Sequence, residues 1–250
     1  MDIRQLVVLA LIGCLTGFIN VMAGGGSLLT MPVMVLMGMP GPVANGTNRV
    51  AILAQNITAV TGFFRQGFSD FKLSLSLSLC ALPGALIGAY FGTKLQGLWF
   101  NRVLAGVMIT VMVLMSVKKH RPGSVTTTGP LVQKRLITTH ILMAVAGFYG
   151  GFIQAGVGFI LMAILHRVLG LDLVRVNMHK VFIVGTYTIF ALAVFAVRGN
   201  VAPMPGISLA AGNAAGGWIG AHIAVKKGER LIRIIFNTAL IILAIKLLLK

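Results

Sequence analysis

The chain has 250 residues, 57% hydrophobic and only 10% charged, with a mean hydropathy of +0.96. That composition excludes a water-soluble domain and makes an all-α polytopic membrane protein the expectation. The net charge of +17 does not mark a nucleic-acid binder, because the basic residues sit in short clusters between apolar runs, as in cytoplasmic loops of membrane proteins.

In chain order, apolar runs cover about 5–22 and 27–38, parted by Gly24-Gly25-Gly26. Each is short for a full span of about 20 residues, so together they read as a broken or re-entrant pair. Long runs follow at about 43–64, 71–93 and 100–117. The second of these carries Gly84, Gly88 and Gly92, a small-residue stripe that lets helices approach closely in lipid. The plan then returns. Broken runs fall at about 136–154 and 157–169, and long runs at about 175–197, 204–225 and 230–249, with Gly212, Gly216 and Gly220 repeating the stripe. Gly17-Phe18-Ile19-Asn20 is echoed by Gly151-Phe152-Ile153-Gln154, Gly24-x-Gly26 by Gly156-x-Gly158, and Asn45 by Asn177. The first 22 residues look like a signal peptide, yet Gly13-x-x-x-Gly17 recurs mid-chain as Gly147-x-x-x-Gly151, which argues for a retained helix. The division expected is a first transmembrane repeat over 1–117, a basic cytoplasmic linker over 118–135 and a second repeat over 136–250.

Basic residues set the sides. Lys118, Lys119, Arg121, Lys134 and Arg135 mark the central loop as cytoplasmic. Counting outward puts the 65–72, 167–175 and 226–233 loops inside and both termini outside, in the inner or plasma membrane. Each half makes an odd number of net crossings, so the two copies are expected to be inverted, each a glycine-broken pair plus three long helices. That is a secondary-transporter plan with a midplane site.

The candidate site residues come from the breaks and the helix starts beside them. Gly24, Gly25, Gly26, Gly156 and Gly158 allow tight turns that offer backbone N–H groups, and Ser27 suits the N-cap of the half-helix that follows. A half-helix start favours an anion. Arg49 and Lys180 lie one to two turns into long runs, where each either faces a bound anion or snorkels to the interface. Asn45, Thr47, Asn48, Asn177 and His179 lie at the same two helix starts, and Asn20 and Gln154 just before the breaks. Each either contacts substrate or makes an interhelical hydrogen bond. The acids Asp2, Asp70, Asp172 and Glu229 all fall near run ends, which argues against a carboxylate-based cation pump and most hydrolase schemes. With no P-loop, dinucleotide fingerprint or nucleophile elbow, and no histidine pair at metal-ligand spacing, no enzyme activity, cofactor or metal is expected. The expected partners are a small anion and the lipid bilayer, and the stripes also suit a homo-oligomer.

The ordered set AGGGSLLTMP, AGVGFILMAI, ANGTNRVAIL, the R-x-G-x-x-D-F pattern ending at Phe71, PGALIGAYFGTKL and AGNAAGGWIGAHI resembles the sulfite exporter TauE/SafE family, also described as toluene-sulfonate uptake permeases. The resemblance spans essentially the whole chain. It implies a multi-helix inner-membrane carrier of sulfite, sulfonates or related organosulfur acids. An anion channel and a non-transporting scaffold or sensor are the rival readings.

Overall fold

The computed structural model describes residues 2–116 and 130–224. The last apolar run 230–249, the 226–233 loop with Glu229, and the linker basics Lys118, Lys119 and Arg121 lie outside the described residues. The described residues form helices and the turns between them: α1 (Ile3–Ala23), α2 (Ser27–Leu36), α3 (Gly41–Arg65), α4 (Phe71–Gly92), α5 (Gly97–Ser116), α6 (Pro130–Phe152), α7 (Val157–Ala163), α8 (Leu173–Val197) and α9 (Pro203–Ile223). A π-helical turn, Ile164–Val168, continues α7. Among the described residues α1, α4 and α8 are long and apolar enough to cross a membrane. This is an all-α polytopic membrane protein.

Helix ends follow the local chemistry. All three acids among the described residues cap helix starts. Asp2 accepts from Gln5 N at 2.8 Å, Asp70 from Leu73 N at 3.3 Å, and Asp172 from Val174 N and Arg175 N at 3.0 Å. Glycines in the left-handed region end the broken pairs, with φ of +93° at Gly38 and +80° at Gly170.

Polar and charged side chains are buried within an otherwise apolar core, and large apolar side chains face outward. Arg49, Asn48, Gln55, Asn56, His179 and Lys180 are buried, while Leu11, Leu79, Ile141, Val145 and Met204 are exposed. An apolar exterior with its polar groups kept inside is what a lipid surround requires.

Glycine sets which helices meet. A Cβ at Gly84, Gly88 or Gly92 of α4 would strike the backbone of α6 at Ala144, Phe148 or Phe152, and Gly147 and Gly151 of α6 lie equally close to Ala81 and Ala85. The α1–α9 contact has the same build, with Gly212 and Gly216 on Ala10 and Cys14, and Gly13 and Gly17 on Leu209 and Asn213. The stripes that suit a homo-oligomer are thus covered by α1 and α6 of the same chain. Residue numbers rise together along α1–α9, α3–α9, α4–α6 and α4–α8, so these pairs are parallel. Along α3–α8 they run oppositely, with Asn56 beside Gly185 and Gly46 beside Asn200. Helices α1, α3 and α9 therefore point one way and α4, α6 and α8 the other. Because α1 and α3 share a direction, α2 turns the chain back between them.

Candidate functional site

The two breaks touch. An added Cβ at Gly24, itself at φ +88°, would stand 2.6 Å from the carbonyl carbon of Gly158, and a Cβ at Gly158 would meet the Gly24 backbone in turn. Only glycine permits that approach. Beside the contact lies a cavity of about 10 Å³, on the threshold for one water molecule. Asn20 and Ser27 line it from the first break, Gln154 and Gly158 from the second, Gln55 and Asn56 from α3, and Lys180 from α8. The polar groups are amides, a hydroxyl and one ammonium, with no carboxylate, and Val157, Val181 and Val184 complete the lining.

Two buried cations among the described residues, Arg49 and Lys180, are held by helix ends. Lys180 Nζ donates to Asn20 O at 3.2 Å, Val21 O at 2.9 Å and Asn177 Oδ1 at 2.7 Å. Arg49 donates from Nη1 to Gln154 Oε1 at 3.1 Å and from Nη2 to Asn45 Oδ1 at 3.4 Å, Gly150 O at 3.2 Å and Gly151 O, with its Cζ 4.5 Å from the Phe195 ring centroid. A helix C-terminus carries orphan carbonyls and partial negative charge, which suit a cation. So α3 caps the end of α6, and α8 caps the end of α1. Neither cation snorkels, both being at most 2% exposed. Arg49 does not line the cavity but stands behind Gln154, which does.

The remaining residues divide into those at the cavity and those that stitch helices. Asn48 donates to Ser27 Oγ at 3.0 Å and accepts from Thr30 Oγ1 at 2.6 Å, tying α3 to α2. Asn45 Nδ2 donates to Phe152 O at 2.8 Å. Thr47 Oγ1 accepts from Ala202 N at 2.9 Å, and His179 Nδ1 lies 2.8 Å from Ser74 Oγ, both away from the cavity. Asn177 reaches it only through Lys180. Ser27 is not an N-cap. That position belongs to Gly26, and the serine hydroxyl faces Asn48 instead. The N–H of Gly26 is taken by Asn20 Oδ1 at 3.3 Å and that of Gly24 by Asn20 O at 2.8 Å, so the first break is partly satisfied from within. Gly25 lies buried between them. At the second break Gly156 has φ +73°, but α7 runs only seven residues before the π turn, too short to present a strong helix-start field. Gln154 adopts φ +58°, a conformation that L side chains rarely take, held by the Arg49 bond.

The family model described as sulfite exporter TauE/SafE matches residues 9–247. The chain belongs to that family. The TauE/SafE chain is 27% identical over 238 residues to a probable membrane transporter protein, ORF9, of Sinorhizobium, covering 94% of this chain and 88% of that protein. It is 25% identical to a probable membrane transporter protein of Haemophilus influenzae (92% and 89% covered) and 26% identical to the probable membrane transporter protein YfcA of Escherichia coli (96% and 88%). No solved structure matches it.

Two site residues escape a reading of the TauE/SafE sequence by breaks and helix starts. Gln55 and Asn56 sit in the run 43–64, past the region where a charge draws notice. The available signal is two adjacent amides in an otherwise apolar stretch, AILAQNITAV, where a buried amide in lipid needs a partner.

Proposed function

We propose that this membrane transporter is a secondary carrier of small sulfur-containing anions such as sulfite or organosulfonates, working by alternating access at the cavity between the two breaks. The observation that carries the reading is that cavity, which is buried, lined by amides, a hydroxyl and three valines, bordered by the Lys180 ammonium, and free of carboxylates among its lining residues. Such a lining suits an anion with several oxygen acceptors and repels no negative charge. The opposite directions of α1 and α6, of α3 and α8, and of α4 and α9 support two inverted repeats, the arrangement in which carriers place substrate at repeat interfaces. The volume of about 10 Å³ is too small for an oxyanion, so the breaks separate to admit it. With the basic central loop cytoplasmic, both termini lie outside, in the inner or plasma membrane.

Counterflow in proteoliposomes tests the reading. Vesicles preloaded with unlabelled sulfite or a small organosulfonate should accumulate the labelled anion transiently and saturably. Flux that rises linearly with concentration and shows no counterflow would instead describe a channel. Absence of both flux and ligand-induced thermal stabilisation would sink both transport readings.

A further inference from the structure

Four groups beside the cavity form a directed hydrogen-bond chain. Gly26 N donates to Asn20 Oδ1 at 3.3 Å, Asn20 Nδ2 to Gln55 Oε1 at 3.0 Å, and Gln55 Nε2 to Asn56 Oδ1 at 3.4 Å. The chain ends at Asn56 Nδ2, which has no acceptor among the described residues although Asn56 is 2% exposed and lines the cavity. Amide orientations are ordinarily assigned from their partners. Here the first donor is a backbone N–H, which can only donate, so each amide in turn is fixed. Reversing Asn56 would set its NH₂ against that of Gln55. The terminal group of the chain, on a residue that lines the cavity, is therefore a donor, polarised by the bonds behind it. A buried donor with no acceptor is costly, and on a residue that lines a cavity a ligand oxygen can satisfy it.

We propose that Asn56 is the specificity-determining donor of the transport site, presented by the Gly26–Asn20–Gln55 chain to an anion whose facing oxygens only accept hydrogen bonds. This rests on the carrier reading and adds to it a residue and a selection rule. A sulfonate offers three acceptor oxygens and no proton, whichever way it sits. A ligand that presents a hydroxyl or ammonium hydrogen meets an opposing N–H. Lys180 supplies positive charge, with its protons turned to Asn20 O, Val21 O and Asn177 Oδ1, while Asn56 supplies a directional contact.

The test compares purified wild type with Asn56→Ala and Asn56→Asp, titrating methanesulfonate, acetate and chloride and reading thermal stability with and without ligand. Wild type should prefer methanesulfonate. Asn56→Ala should bind it about tenfold more weakly, the loss of one charge-assisted hydrogen bond, while chloride affinity holds. Asn56→Asp should abolish binding. Ligand-free Asn56→Ala should melt near the wild-type temperature, because it removes the orphan Asn56 Nδ2 but takes the acceptor from Gln55 Nε2. A variant that binds methanesulfonate as wild type does overturns the assignment and leaves the carrier reading standing. Ligand-free melting of Asn56→Ala well below wild type makes Asn56 a structural residue and also overturns it. If wild type responds to no sulfur oxyanion, the carrier reading fails and this assignment falls with it.

Discussion

Replacing each buried cation by methionine separates the two roles that the structure gives them. Arg49→Met removes four hydrogen bonds and the contact with Phe195. At about 0.6 kcal/mol per buried hydrogen bond in a membrane protein and about 1 kcal/mol for the cation–π contact, the loss is roughly 3 kcal/mol. Nε has no acceptor among the described residues, and removing that orphan returns about 1 kcal/mol. The net, about 2 kcal/mol, lowers Tm by roughly 4–8 °C for a chain of this size. Lys180→Met removes the bonds to Asn20 O, Val21 O and Asn177 Oδ1, for a loss of roughly 2 kcal/mol. Affinity should split the pair. A unit charge about 6 Å from a bound anion contributes about 3 kcal/mol at an effective dielectric of about 20, or roughly 100-fold in affinity. Set back behind Gln154 at about 10 Å, Arg49 contributes about half that, roughly tenfold. Titration of a sulfur oxyanion at low salt, with melting in detergent measured on the same samples, reads both quantities. Equal affinity losses, or Arg49→Met melting at the wild-type temperature, would refute the assignment of Arg49 as a cap and Lys180 as the cavity's charge.

Other expectations follow from the close backbone contacts. Gly158→Ala should drive the breaks apart and lower Tm by several degrees, and Gly24→Ala should cost more, since it adds roughly 1 kcal/mol of strain at φ +88°. Wild-type melting in Gly24→Ala would show that the two breaks do not touch. Gly88→Leu should prevent the α4–α6 approach and yield little monodisperse protein in gel filtration, whereas Leu79→Ala, on the exposed face of α4, should behave as wild type. With Cys14 and Cys80 replaced, a cysteine at Asp2 should react with an impermeant maleimide from outside intact cells, and one at Gln66 should not. The reverse pattern would turn the proposed topology over.

The fold was legible because glycine and hydropathy act locally. Gly24–Gly26 and Gly156–Gly158 interrupt apolar runs wherever those runs end up, and Gly38 and Gly170 take the left-handed conformation that stops each pair. What meets what is a property of three dimensions. Sequence spacing offers two fates for Arg49 and Lys180, an anion or the interface; the structure keeps both from the interface and adds partners that spacing does not offer, the carbonyl ends of α6 and α1. Those carbonyls exist only because the helices break, and they are supplied by segments 101 and 159 residues away. Ser27 has the right chemistry for a cap, but the glycine before it adopts the capping position and leaves the hydroxyl for Asn48. Gln55 and Asn56 were hidden by their neighbours. A window that averages hydropathy over a span absorbs two amides, whereas the requirement that each find a partner singles them out.

The packing redraws the bodies that would move. By sequence, α3 belongs to the first copy and α9 to the second, yet they lie parallel and joined, with Thr58 Oγ1 donating to Ala214 O at 2.9 Å and Gln66 Nε2 to Ala221 O at 3.1 Å. The bodies are then α1, α3 and α9 on one side and α4, α6 and α8 on the other, and the breaks, both caps and the cavity lie between them. Each cap crosses from one body to the other, so separating the bodies must pull Arg49 from α6 or Lys180 from α1. An anion entering beside Lys180 offsets the loss of Asn20 O and Val21 O, which makes that cap the one whose release substrate favours. Tying α3 to α9 distinguishes this division from motion of the sequence halves. The Cβ of Val50 lies 3.5 Å from a Cβ built at Gly206, within disulfide range, so Val50→Cys with Gly206→Cys in a background lacking Cys14 and Cys80 should oxidise readily. If like-directed helices move together, counterflow continues at the wild-type rate after oxidation. Arrest that reverses on reduction would mean that α3 and α9 move apart, and that the two copies rock as the sequence divides them.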